Sequence, residues 1–180
     1  MKCSSYSHGN CLTFYHLNDI FCQMDKIDIR ILEQLMLDSS QSQRQLAERV
    51  GLSQNSCWRR LKAIESSGVI RGRTILLNRE KLGAGLVVFA MVRTRHHSAD
   101  WLNRFRQSIS VIPEVVDFYR IGGDYDYLLK IITSTMASYD AVYQDIISRV
   151  ELETVTSYFA MESIVEQRPI SLSSLARKDR

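Results

Sequence analysis

The sequence predicts an α+β chain: an N-terminal winged helix-turn-helix followed by a C-terminal ferredoxin-like βαββαβ domain. Three observations carry this. Apolar residues recur at helical spacing in three short segments between residues 25 and 67. Gly51 and Ser53 supply a turn and a cap between the second segment and the third. After residue 84 strands and helices follow in the order β-α-β-β-α-β.

The elements follow in chain order. Ile27, Ile31, Leu32 and Leu35 form a helical stripe from Asp25 to about Leu37. Ser39 to Ser42 is a polar break. Gln43 to Val50 is a second short helix burying Leu46, Ala47 and Val50, with small Ala47 where the helices cross. A third helix starts after Ser53, and Gly68 stops it near Ser67. Val69-Ile70 begins an extended segment, Arg71-Gly72-Arg73 reads as a turn, and Thr74 to Leu77 as a strand. In the second half, Leu86 to Val92 is a strand apolar on both faces. Leu102, Phe105, Ile109 and Ile112 mark a helix that Pro113 ends. Val115 to Ile121 and Tyr125 to Ile132 are strands joined at Gly122-Gly123, with Tyr125, Tyr127, Leu129 and Ile131 alternating onto one face. Tyr139, Val142, Ile146 and Val150 mark the second helix, and Val155, Ser157, Phe159 and Met161 the last strand. A first strand apolar on both sides needs cover on the face away from the helices. A second copy of the same sheet supplies it most simply, so a homodimer is expected.

This divides the chain as follows. Residues 1–23 are a disordered or mis-called N-terminal extension, with Met24 as the expected natural start. Residues 24–74 form the helix-turn-helix domain, 75–84 a linker strand, 85–168 the ferredoxin-like domain, and 169–180 a C-terminal tail.

Composition narrows the function. The net charge of +3 hides an asymmetry. Residues 25–83 hold 11 Lys/Arg against 7 Asp/Glu, whereas residues 84–180 hold 11 against 12. A polyanion partner for the first part is expected. No apolar run approaches the ~20 residues of a membrane helix, and the N-terminus makes a poor signal peptide, so the expected location is the cytoplasm. Cys3, Cys11 and Cys22 with His8 and His16 match no compact zinc spacing. His96-His97 are adjacent, so on a strand they point apart and cannot share one ion; they read as loop-entry residues.

The third helix carries the sharpest signal. At about 100° per residue, Cys57, Leu61 and Ile64 fall on one side, and Asn55, Arg59 and Lys62 roughly opposite. An amide that pairs with adenine and an arginine that pairs with guanine suit a DNA major groove. Ser53, Gln54 and Ser56 sit at the helix start. Trp58 flanks the face, either stacking on sugar or a thymine methyl or half-buried against the domain. Arg60, Arg71 and Arg73 are placed to meet phosphates. Gln54 to Leu77 holds five basic residues and one acid, Glu65. Any small helical domain shows a cationic solvated face, so charge alone would not decide. The turn, the cap and the basic wing-like segment together point to DNA binding.

Leu52-Ser53-Gln54-Asn55-Ser56-Cys57-Trp58-Arg59-Arg60-Leu61, followed by Glu65-Ser66-Ser67-Gly68-Val69-Ile70, resembles the recognition helix and wing entry of Lrp/AsnC transcription regulators. Asp25-Lys26-Ile27-Asp28 resembles the usual family start, and Asn78-Arg79-Glu80-Lys81-Leu82-Gly83 its linker. Arg79 stands where proline is common, which is expected to loosen the linker slightly. His96-His97-Ser98 with Trp101 resembles a subgroup. The resemblance covers residues 24 to about 168. It implies a C-terminal domain that forms dimers and often octamers and binds a small effector, an amino acid, near interfaces.

The matching effector element is Arg120-Ile121-Gly122-Gly123-Asp124-Tyr125-Asp126. Gly122 and Gly123 bare backbone N–H groups that can take a carboxylate, and Arg120 can hold one in bidentate fashion. Asp124 or Asp126 can meet an ammonium group. Ser148, on the second helix, is placed at the same interface. The competing reading is a plain hairpin turn with solvating aspartates.

Enzyme function is the rival class, since ferredoxin-like domains host many activities. The sequence has no phosphate loop, zinc-protease pair, nucleophile elbow or Cys–His arrangement around Cys57. No catalytic residue, cofactor or metal is expected. A sensing module without DNA binding is the second rival; the Asn55, Arg59 and Lys62 face argues against it.

Overall fold

A computed structural model describes residues 24–175, which form two compact units. The expected N-terminal extension and the Cys3, Cys11, Cys22, His8 and His16 set lie outside the described residues.

The first unit is helical. Helix α1 spans Lys26–Leu37, α2 Gln43–Val50 and α3 Gln54–Ser66. Each start is capped by a side chain that satisfies N–H groups the helix leaves open. Asp25 accepts from Ile27 and Asp28 N–H on α1. Ser42 and Gln45 close a reciprocal capping box on α2. Ser53 accepts from Ser56 N–H on α3. Ile31, Leu32, Leu46, Ala47, Val50, Cys57, Leu61 and Ile64 form one core. Burying each large apolar side chain contributes about 1.5–3 kcal/mol, which far exceeds the few tenths that helix propensity supplies.

Two expectations about this unit are corrected. Thr74 to Leu77 is not a strand: residues 69–78 carry no ladder, and Ile75, Leu76 and Leu77 are exposed. The segment has strand composition but, among the described residues, no strand beside it to accept its hydrogen bonds. The expected tail at 169–180 contains a one-turn helix, α6 (Leu172–Leu175), whose Leu172 is buried in the helical core. Residues 167–175 group with the helical unit, while Leu76–Glu166 form the second unit. Of the expected linker at 75–84, Ile75 groups with the first unit and residues 76–84 with the second, inside which Arg79 pairs with Glu166.

The second unit has the predicted order: β1 (Leu86–Arg93), α4 (Ala99–Ser110), β2 (Val115–Arg120), β3 (Tyr127–Thr133), α5 (Met136–Arg149) and β4 (Thr154–Phe159). The sheet is antiparallel in the order β2-β3-β1-β4. Val88 pairs with Ile131 and Phe159, fixing which residues face the helices. On that face Val88, Ala90, Val92, Leu129 and Ile131 pack against Phe105 and Ile109 of α4 and Tyr139, Val142 and Ile146 of α5. Trp101, Phe105, Phe118 and Tyr127 make a contiguous aromatic cluster with centroids 5.0–6.1 Å apart. Such pairs contribute about 0.5–1.5 kcal/mol beyond their area.

Tyr125 departs from the expected alternation. It precedes β3, and its hydroxyl bonds Thr156, the register partner of Met91 on the face away from the helices. The backbone turns between Gly123 (φ 120°) and Asp126, so the alternation starts only at Tyr127. Met161 likewise follows β4 and is exposed. On the far sheet face the chain supplies part of its own cover: residues 160–166, with Val87, Phe89 and Lys130, line a cavity of roughly 530 Å³.

Candidate DNA interface and effector segment

The α2–turn–α3 unit presents the DNA face. Gly51, with φ 72°, takes the left-handed conformation that only glycine adopts at little cost, and its N–H donates to Glu48. The next N–H, of Leu52, donates to Ala47 at 2.9 Å. The chain thereby leaves α2 sharply, and Ser53 starts α3. Cys57, Leu61 and Ile64 are 1%, 5% and 3% exposed. With that side fixed inward, Asn55, Arg59 and Lys62 are all exposed. Ser53 and Gln54 are exposed at the helix start, Ser56 is half-buried and Trp58 is 48% exposed. Trp58 thus keeps both of its readings.

The cations of this face differ in their commitments. Among the described residues, Arg59 and Arg71 make no hydrogen bond or ion pair, and both are exposed. Lys62 Nζ lies 3.0 Å from Glu65 Oε2, and Arg73 Nη2 3.2 Å from Glu65 Oε1. Arg60, expected to meet a phosphate, is committed within the helical unit in this structure. Its Nη1 donates to Asp25 Oδ2 and Asp28 Oδ1, each at 2.8 Å. Arg60 sits 100° around the helix from Arg59, which turns it toward the start of α1. The Asp28 N–H, and behind it Arg60, hold the Asp25 carboxyl below the usual carboxylate range. Sequence reasoning assigns no role to Glu65; the signal that could have found it is the i,i+3 spacing from Lys62.

The effector segment is a pinned loop. Ile121 N–H donates to Asp126 carbonyl and Asp126 N–H to Val92 carbonyl, each at 2.9 Å. Arg93 donates to the Asp124 carbonyl at 2.8 Å and lies 5.4 Å over the Tyr125 ring. Gly122, Gly123, Asp124 and Arg120 are exposed. Asp126 differs: its Oδ2 accepts the Thr94 N–H at 2.8 Å, and His97 Nδ1 lies 4.0 Å from Oδ1. Of the two aspartates expected to meet an ammonium, Asp124 alone presents an uncommitted carboxylate, and Asp126 fastens the loop. Ser148 donates to the Asp145 carbonyl within α5 and makes no bond to this loop. Sequence reasoning missed Arg93 and Thr94, whose link to the loop crosses about thirty residues. His96 and His97 fall in the loop after β1.

Comparison with known proteins settles the family. Residues 24–71 match a family described as winged helix-turn-helix DNA-binding, and residues 87–170 the Lrp/AsnC ligand binding domain. The DNA-binding transcriptional activator DecR of Escherichia coli is 42% identical over 78% of this chain and 93% of its own length. The chain belongs to the Lrp/AsnC family. A further relative of this Lrp/AsnC protein, the glutamate uptake regulatory protein of Zymomonas mobilis, is 40% identical over 87% of the chain and 95% of that protein. An AsnC family regulator from Agrobacterium tumefaciens has a similar crystal structure, with TM-score 0.81 and 43% identity, over 84% of this chain and 99% of that one. A Neisseria meningitidis regulator solved with L-methionine gives 0.80 and 31%, over 85% and 99%. The Lrp/AsnC protein described here is accordingly a DNA-binding transcription regulator and not an enzyme. Among the described residues, no helix is long and apolar enough to cross a membrane.

Proposed function

We propose that this regulator works in the cytoplasm as a homodimer or a larger assembly, octamers included. Asn55 and Arg59 read bases in the major groove, and Lys62, Arg71 and Arg73 hold the flanking phosphates. Ser53, Gln54, Ser56 and Trp58 border the contact. The observation that carries this reading is the exposed Asn55, Arg59 and Lys62 face, opposite the buried Cys57, Leu61 and Ile64. Two such helices in a dimer would meet half-sites about 34–36 Å apart.

The effector is a small zwitterion, an amino acid. The Gly122 and Gly123 N–H groups and Arg120 take its carboxylate, and Asp124 takes its ammonium. Ser148 lines the same interface in an assembled protein. The methionine in the Neisseria structure and the name of the Zymomonas relative support an amino acid. The effector acts by binding one assembly more tightly than another, and so changes how many half-sites are held together.

A salt series on DNA tests the phosphate contacts. Arg71→Ala is expected to weaken promoter and random duplexes alike and to reduce the salt slope by about 1. A loss confined to the promoter would place Arg71 on a base. Thermal shift against the twenty amino acids identifies the effector. Asp124→Ala is expected to abolish that shift while leaving DNA affinity intact, and an unchanged shift would move the site elsewhere.

A further inference from the structure

Glu65 is the one acid between Gln54 and Leu77, and it stands between two of the cations assigned to the DNA face. Its carboxylate is divided. Oε2 accepts from Lys62 Nζ at 3.0 Å and Oε1 from Arg73 Nη2 at 3.2 Å. The Lys62 and Arg73 side chains are 57% and 49% exposed, and Glu65 is set deeper at 31%. Glu65, Lys62 and Arg73 share the rim of a cavity of about 200 Å³ with Gln41 and Leu61. One lysine and one arginine on separate oxygens of a single anion is the arrangement these side chains also offer a phosphate.

We infer that Glu65 is an internal competitor for DNA phosphate. It occupies Lys62 and Arg73 in the free protein and thereby sets the affinity and salt dependence of DNA binding. The inference rests on the placement of Lys62 and Arg73 at the DNA backbone. Solvent-exposed ion pairs are weak, so a phosphate can displace the carboxylate from either cation. The carboxylate stays behind when it is displaced. It then lies within the ~8 Å screening length of the bound phosphates and repels them. Both effects act on the backbone and not on base edges. Glu65 therefore weakens every sequence alike and leaves the ratio between specific and random DNA unchanged.

The test is the full chain binding a random-sequence duplex of about thirty base pairs between 0.05 and 0.2 M salt, for the wild type, Glu65→Gln, Glu65→Ala, Lys62→Ala and Arg73→Ala. Removing one negative charge frees about one more counterion on binding, so both Glu65 variants should bind about five-fold tighter at 0.15 M salt, with a slope steeper by about 0.9. Lys62→Ala and Arg73→Ala should each weaken binding and flatten the slope. Equal or weaker binding by the Glu65 variants, with the two cation variants weakened, would show that Glu65 props the cations and would overturn the competition. A gain with Gln but not Ala would assign it to a new contact from the glutamine and would overturn the competition as well. Unchanged binding by both cation variants would remove Lys62 and Arg73 from the DNA face, and the inference with them.

Discussion

Arg59 and Arg60 are neighbours in the chain and opposites in circumstance. Arg59 is exposed and unpaired among the described residues, whereas Arg60 holds Asp25 and Asp28 and ties α3 to the start of α1. The difference is the 100° step of the helix, which residue type alone does not reveal. Glu166 makes the same point in the second unit. It pairs with Arg79 and with Lys130, the latter at 2.6 Å, and all three side chains are at most about a quarter exposed. The hydrogen bond from Lys130, and then that from Arg79, bring the Glu166 carboxyl from its ordinary 4.5 down to about 2. A carboxylate whose value is depressed on folding adds stability that is complete above the unfolded value and fades as pH falls toward the folded one. Glu166→Gln should therefore lower the melting temperature of this unit at pH 7 by several degrees, for a cost of about 1–2 kcal/mol. The gap between wild type and variant should close as pH falls from about 4.5 toward 2. A gap that persists at pH 2 would mean that charge is not what Glu166 supplies.

At the scale of elements, what is legible in the sequence is local. The turn after α2 and the start of α3 are announced by Gly51 and Ser53, each acting on residues within a turn of itself. The βαββαβ order is legible for the same reason: each strand and helix shows its own period. What escapes a reading of the sequence depends on partners distant in the chain. Thr74 to Leu77 has the composition of a strand, but a ladder requires a second strand, and none of the described residues pairs with it. Leu172 reads as tail because its neighbours in the helical core lie more than a hundred residues earlier. Asp126 is equivalent to Asp124 in sequence, and only the Thr94 N–H that holds it sets the two apart. The DNA face is readable in outline, since helical geometry alone separates Asn55, Arg59 and Lys62 from the core. The division of its cations between free and paired is not.

Taken whole, the regulator places its excess positive charge in the unit that carries α3, while the second unit, residues 76–166, holds 9 Lys/Arg against 12 Asp/Glu. That division matches one unit that meets a polyanion and another that assembles and senses. Phosphate contacts supply affinity without sequence information, whereas base contacts supply preference. Function as a specific regulator therefore depends on the outer face of α3 reading bases. Arg59 is the residue on which to decide this, because its guanidinium is exposed and has no pair to lose among the described residues. The decisive quantity is the affinity of Arg59→Ala for a promoter fragment carrying its binding site and for random duplex at one salt concentration. Base reading requires a loss of about 1–3 kcal/mol on the promoter and a much smaller one on random DNA. Equal losses on both would make Arg59 a phosphate contact and contradict base reading by this face.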